Sequence, residues 1–176
     1  MNDVKQLVAS IREAFSSVEY PGDWCLRGSS EGTEPFLLEK EFRGKDDWRK
    51  LDAKFIDSAP DGFATALGFF SDEAFRFYLP AYLIADLEGH LERVNPVFHL
   101  THGLEAETRN KPINPRRYGE RTWFEHARHK FAIFNDQQRI AIAGYLAYRR
   151  AHADMTDHEK HTIRQALQGY WHVRVA

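Results

Sequence analysis

The sequence predicts a mainly α-helical, single-domain protein over residues 1–176, with about six helices packed around a central, proline-bent apolar helix. Three observations carry this expectation. Apolar residues recur at three- and four-residue spacing along most of the chain. Helix start signals stand ahead of those segments, at Ser71, Thr122, Asn135 and Thr156. Strand-like pieces are confined to residues 24–27, 36–38 and 173–175. A chain of 176 residues also defaults to one domain with a substantial core.

The first helix is marked by Val4, Leu7, Val8, Ile11, Ala14, Phe15 and Val18, with Asn2 or Asp3 as its cap and Pro21-Gly22 as its stop. Residues 27–33 have loop composition, and residues 35–42 suit a short helix or an extended piece equally. Trp48, Leu51 and Phe55 mark one face of a second helix. Asp46 and Asp47 lie in its first turn, where acids complement the helix dipole, and residues 59–62 close it.

Residues 69–94 are the most apolar and aromatic part of the chain. Ser71 caps a helix expected over 71–93, and its apolar residues cover every side, which marks a helix surrounded by others. Pro80 removes the hydrogen bond to the Arg76 carbonyl and bends the helix there. That costs up to about 3 kcal/mol, which aromatic packing offsets.

Between Val94 and Arg121 the pattern weakens at Pro96, Gly103, Pro112, Pro115 and Gly119. A short helix near 96–103 and then a long loop are expected. Three helices close the chain. Thr122 and Glu125 form a capping-box pair, Asn135 and Gln138 a second start signal, and Thr156 and Glu159 another box. The middle helix places Ile140, Ala143, Gly144, Ala147 and Ala151 on one face, small enough for close helix approach. The last presents Ile163, Ala166, Leu167 and Tyr170.

A net charge of −2 and a pI near 6.5 argue against nucleic-acid binding, which needs a basic excess or stripe. The single cysteine, Cys25, allows no internal disulfide and has no base near it in sequence to activate it. The first fifteen residues lack the basic start and apolar run of a secretory signal, and no apolar run is long enough to span a bilayer. A cytoplasmic location without membrane association follows.

Three His-x-x-His pairs, 99/102, 126/129 and 158/161, each put two imidazoles on one helix face. None has the zincin spacing, and two stand among charges as on a solvated face, so no metal or cofactor is assigned. Asp86 and His90, four apart, are the acid–base candidate, although the alternating acids there also suit a helix emerging into water. Arg76, between Phe75 and Phe77, reads chiefly as structural. No phosphate-loop, dinucleotide or nucleophile-elbow motif occurs, so no catalytic residue is assigned. In the loop 104–121, Arg116, Arg117 and Tyr118 are the partner-binding candidates, being residue types favoured at interfaces.

Residues 68–83, Gly-Phe-Phe-Ser-Asp-Glu-Ala-Phe-Arg-Phe-Tyr-Leu-Pro-Ala-Tyr-Leu, resemble the F-x-S-x-x-A-F-R-[FY]-Y-L-P-A-Y-L signature of a family of small bacterial proteins of unknown function. The resemblance extends to Ala14-Phe15, Trp48, Leu51, Phe134, residues 136–138 and Ala141-Ile142. It implies a bacterial source and no activity. The expected function is therefore a protein-binding module of the immunity or adaptor type. The alternative is a small enzyme with an acid–base or metal site near Asp86 and His90. The sequence does not fix the oligomeric state.

Overall fold

A computed structural model describes residues 2–60, 65–152 and 154–172. The fold is mainly helical, and no β-strand occurs among the described residues. Its helices are α1 (Asn2–Ala14), α2 (Glu34–Phe42), α3 (Ala53–Ser58), α4 (Asp72–Leu87), α5 (Pro96–Thr101), α6 (Pro115–Tyr118), α7 (Trp123–Phe131), α8 (Asp136–Ala151) and α9 (Asp157–Ala166). The chain divides into two compact units, Met1–Pro96 and Val97–Ala176.

In the first unit α4 is the most buried element. Phe75, Tyr78, Leu79, Tyr82 and Leu83 are wholly buried, and Pro80 is buried within the helix. Helix α1, α3 and a 3-10 turn at Trp48–Lys50 pack against it. Phe42 at the end of α2 meets Phe55, Phe70 and Tyr78 with ring centroids 5.0, 4.9 and 5.0 Å away. The Ser71 hydroxyl caps α4 by accepting from the Ala74 amide at 3.0 Å, as expected of it. Main-chain bonds from Gly28 to Phe69 (2.8 Å) and from Ser71 to Leu26 (3.0 Å) hold residues 26–28 beside the start of the helix.

Several boundaries differ from expectation for identifiable reasons. Helix α4 ends at Leu87, not near 93. Gly89 adopts φ +73°, its amide donates to Asp86, and the His90 amide donates to Ala85. This is a Schellman stop, which satisfies the last carbonyls. The chain beyond is held by Asp57, whose carboxylate accepts from the amides of Glu92, Arg93 and Val94 at 3.2, 3.0 and 3.0 Å. The single helix expected through Trp48 and Phe55 is broken in two. Asp52 is extended and takes the Phe55 amide at 3.1 Å, starting α3 afresh. Helix α1 stops at Ala14, short of the expected run to Val18. Residues 35–42 are helical. Residues 24–27 form a 3-10 turn (Asp23–Cys25) and one isolated bridge, Arg27 with Phe70, and the third strand-like piece, 173–175, lies outside the described residues.

In the second unit α8, α9 and the π-turn Leu167–Trp171 pack together. The capping boxes at Thr122, Asn135 and Thr156 are all formed. The buried face of α8 is Gln138, Ala141, Ile142, Tyr145 and Leu146, not the small-residue face. Ala147 and Ala151 are exposed, because burying Ile142, Tyr145 and Leu146 removes far more apolar area from water. Trp171 is wholly buried against Phe131, Phe134 and Tyr170, with centroids 4.9, 6.0 and 5.1 Å away.

Candidate functional site

The stretch expected as a long unstructured loop is braced at its base. The Trp123 amide donates to the Lys111 carbonyl at 3.0 Å, the Phe124 amide to Arg109 at 3.1 Å, and the Ile113 amide to Arg121 at 3.0 Å. Pro112 and Thr122 form an isolated antiparallel bridge between these contacts. At the tip, the Asn114 side chain accepts from the Arg116 amide at 3.1 Å and starts the single turn of α6. Pro115 suits the first helical position, where no amide hydrogen is needed.

This geometry brings the candidate residues Arg116, Arg117 and Tyr118 onto one short turn. Arg116 and Arg117 are exposed, Tyr118 is half-buried, and the Arg117 guanidinium lies 5.1 Å from the Tyr118 ring centre. Lys111 and Arg121, at the two feet of the excursion, are exposed as well, and Glu120 is the exposed acid among them. Arg109 is turned aside, with its guanidinium 4.3 Å from the Phe124 ring centre.

Behind the tip runs a chain of rings that periodicity did not reveal. Tyr118 meets His126 at 6.2 Å, His126 meets Trp123 at 6.0 Å, Trp123 meets His102 at 4.5 Å, and His102 stacks on Phe98 at 5.0 Å. Phe98 is half-exposed at 52%. On the inner side, Glu105 is buried and accepts a short hydrogen bond from the Thr108 hydroxyl, while His102 Nδ1 lies 3.6 Å from its carboxylate. Burial raises the Glu105 carboxyl, but bonding to His102 and Thr108 outweighs it and holds the group below its ordinary value. The Thr108 hydroxyl also accepts from the Gly103 amide at 3.2 Å. Glu105, Thr108 and Gly103 thus lock the near side of the loop.

The histidines of the three pairs lie in different surroundings. Burial, with Lys130 and His102 adding, pushes His99 down to about 3, so its ring is neutral near pH 7. His126 packs in the ring chain, while His129 and His158 are exposed. His161 Nδ1 lies 2.6 Å from the Arg164 guanidinium. Among the described residues no three of His, Cys, Asp and Glu gather as a metal-ligand set.

His90 is exposed, with Nδ1 3.6 Å from the Glu88 carboxylate, and Asp86 is half-buried. Arg76 is half-buried on α4. Burial raises the Cys25 thiol above its ordinary value; its sulfur lies 3.5 Å from the Ser71 hydroxyl and 3.7 Å from Glu73. A thiol held protonated beside a carboxylate is a poor nucleophile. Among the described residues no helix is long and apolar enough to cross a membrane.

Comparison with curated proteins found no match, nor did comparison with solved structures. The model of one family, a family of unknown function designated DUF6714, matches residues 3–175, and the chain belongs to that family.

Proposed function

We propose that this chain is a cytoplasmic protein-binding module, of the adaptor or immunity type, and that the tip of the 109–124 loop receives an acidic segment of a partner protein. The observation that supports this reading is the braced loop, which holds four exposed cations, Lys111, Arg116, Arg117 and Arg121, against one exposed acid, Glu120. The chain as a whole carries −2, so this concentration of positive charge runs against its overall balance. A loop already ordered before binding loses little conformational entropy when a partner arrives. Arg and Tyr are the residue types that most often dominate binding energy, and a basic patch speeds encounter with an acidic one.

The test is cross-linking and affinity capture with the wild-type chain and R116E/R117E side by side. The expected result is one partner, cross-linked at the tip, retained by the wild type and lost by the variant. Charge reversal on the partner's acidic segment should restore binding to R116E/R117E. A partner retained equally by both chains, or cross-links away from residues 109–124, would overturn the reading.

A further inference from the structure

We propose that the cleft between the end of α8 and the outer face of α9 is a binding site for a compact, phosphate-bearing anion with two or more phosphoryl groups. The cleft has a volume of about 530 Å³ and is lined by Arg150, Asp157, Lys160, His161 and Arg164. It lies wholly within the second unit, and the inference is independent of the loop surface.

The lining brings together three cations, one acid and one histidine. Arg150 comes from the last turn of α8, and Lys160 and Arg164 stand four apart on α9, a spacing at which like charges repel. Arg149, beside Arg150, is engaged with Asp154 at 3.1 Å. Among the described residues, neither Arg150 nor Lys160 forms an ion pair or a side-chain hydrogen bond. Asp157 subtracts one charge from three, leaving an excess of two before His161 is counted.

His161 stands against the same guanidinium. Its Nδ1 is 2.6 Å from Arg164 Nη2, and its Nε2 is 2.9 Å from Gln165 Nε2. Arg164 is exposed and carries five N–H donors, of which the ring takes at most one, so the others remain for an anion in the cleft.

The chemistry of the lining sets the ligand class. Guanidinium forks match the paired oxygens of phosphoryl groups, and a lysine adds a point charge. The volume exceeds what a single orthophosphate fills. Among the described residues, the lining holds no aromatic or aliphatic side chain to recognise a base or an acyl chain.

The probe is pyrophosphate, titrated into the full-length protein at low ionic strength and followed by calorimetry and by backbone amide shifts. Saturable binding is expected, with the largest shifts at residues 157–164. R150A/R164A should weaken it about tenfold or more, because each lost charge-assisted bond is among the stronger polar contacts. R150K/R164K, which keeps the charge and loses the forks, should bind between the two. All these side chains are at the surface, and unchanged melting temperatures will show that the variants fold. Non-saturating binding, an unchanged affinity in R150A/R164A, or citrate binding as tightly as pyrophosphate would overturn the proposal.

Discussion

The indole nitrogen of Trp171 donates to the Leu100 carbonyl at 2.8 Å, across seventy-one residues of chain and with the indole wholly buried. Leu100 lies in the last turn of α5, where carbonyls have no partner within the helix. The bond therefore satisfies an orphan acceptor and docks the π-turn at the same time. W171F keeps most of the apolar ring and removes the donor. It should cost roughly 2–3 kcal/mol, from the unsatisfied buried carbonyl and the smaller ring together. Denaturant unfolding checks this, and a loss below about 0.5 kcal/mol would contradict the assigned role.

Gly103 sets the near side of the 109–124 loop. Its φ is +84°, and a Cβ there would stand 2.6 Å from the Trp123 carbonyl oxygen. The neighbour is backbone and the conformation is left-handed, so an alanine meets both a clash and an intrinsic penalty. G103A should destabilise by roughly 2–3 kcal/mol and shift the amide resonances of residues 104–124. Because the same movement displaces the tip, partner capture should weaken in G103A even with Arg116 and Arg117 intact.

The local signals in this sequence were legible wherever one side chain decides the outcome. Ser71, Thr122, Asn135 and Thr156 each take the backbone amide three residues on, and each starts its helix where expected. The all-round apolar character of residues 74–87 likewise translates into burial. Competing signals were harder to weigh. Gly89 ends α4 although Leu91 and Val94 continue the apolar spacing, because the left-handed stop satisfies carbonyls at once. Asp52 interrupts a helix through the same preference for capping that started the others. On α8 the spacing was helical on two faces, and only tertiary packing chooses Tyr145 and Leu146 over Ala147. The candidates Arg116, Arg117 and Tyr118 were visible as composition. The ring chain behind them joins residues 98 to 126 from three elements, and the cleft beside α9 joins two helices, so neither has a linear signature.

Tyr78 and Tyr82 lie one turn apart on α4 and should respond oppositely to loss of their hydroxyls. Tyr78 donates to the Lys45 carbonyl at 2.7 Å. The Tyr82 hydroxyl is buried and has no hydrogen-bond partner among the described residues. Burial, with the Asp57 charge adding, pushes its ionisation well upward, so it stays protonated as an unused donor. Y78F should cost about 1 kcal/mol. Y82F should be neutral or stabilising by up to about 1 kcal/mol, since it removes a desolvated group with nothing to bond. Paired thermal melts distinguish them, and a destabilised Y82F would indicate a partner for that hydroxyl.

The pH dependence of stability should carry the signature of His99. In the unfolded chain a histidine titrates near its ordinary value of about 6.5. In the native state burial, followed by the Lys130 and His102 charges, pushes His99 down to about 3. Above about pH 7.5, a unit beyond the ordinary value, both states are neutral at this ring and stability is unaffected. As pH falls from there toward 3, the unfolded chain takes up a proton that the native ring refuses, and stability is lost. The slope cannot exceed about 1.4 kcal/mol per pH unit, and it will fall below that because the ring is only half-buried. Glu105 acts in the same direction in a lower window. Its carboxyl is depressed in the native state, so its contribution is present above the ordinary carboxylate value of about 4.3 and is lost as pH falls through the native one. Urea unfolding between pH 7 and pH 5 therefore separates histidine titration from that of Glu105, and comparison with H99F assigns the His99 share. H99F should flatten the stability profile across that interval whatever its effect on absolute stability, while E105Q should leave the interval unchanged and alter only the acid limb below it. A wild-type profile already flat from pH 7 to pH 5 would contradict the neutral native state assigned to His99.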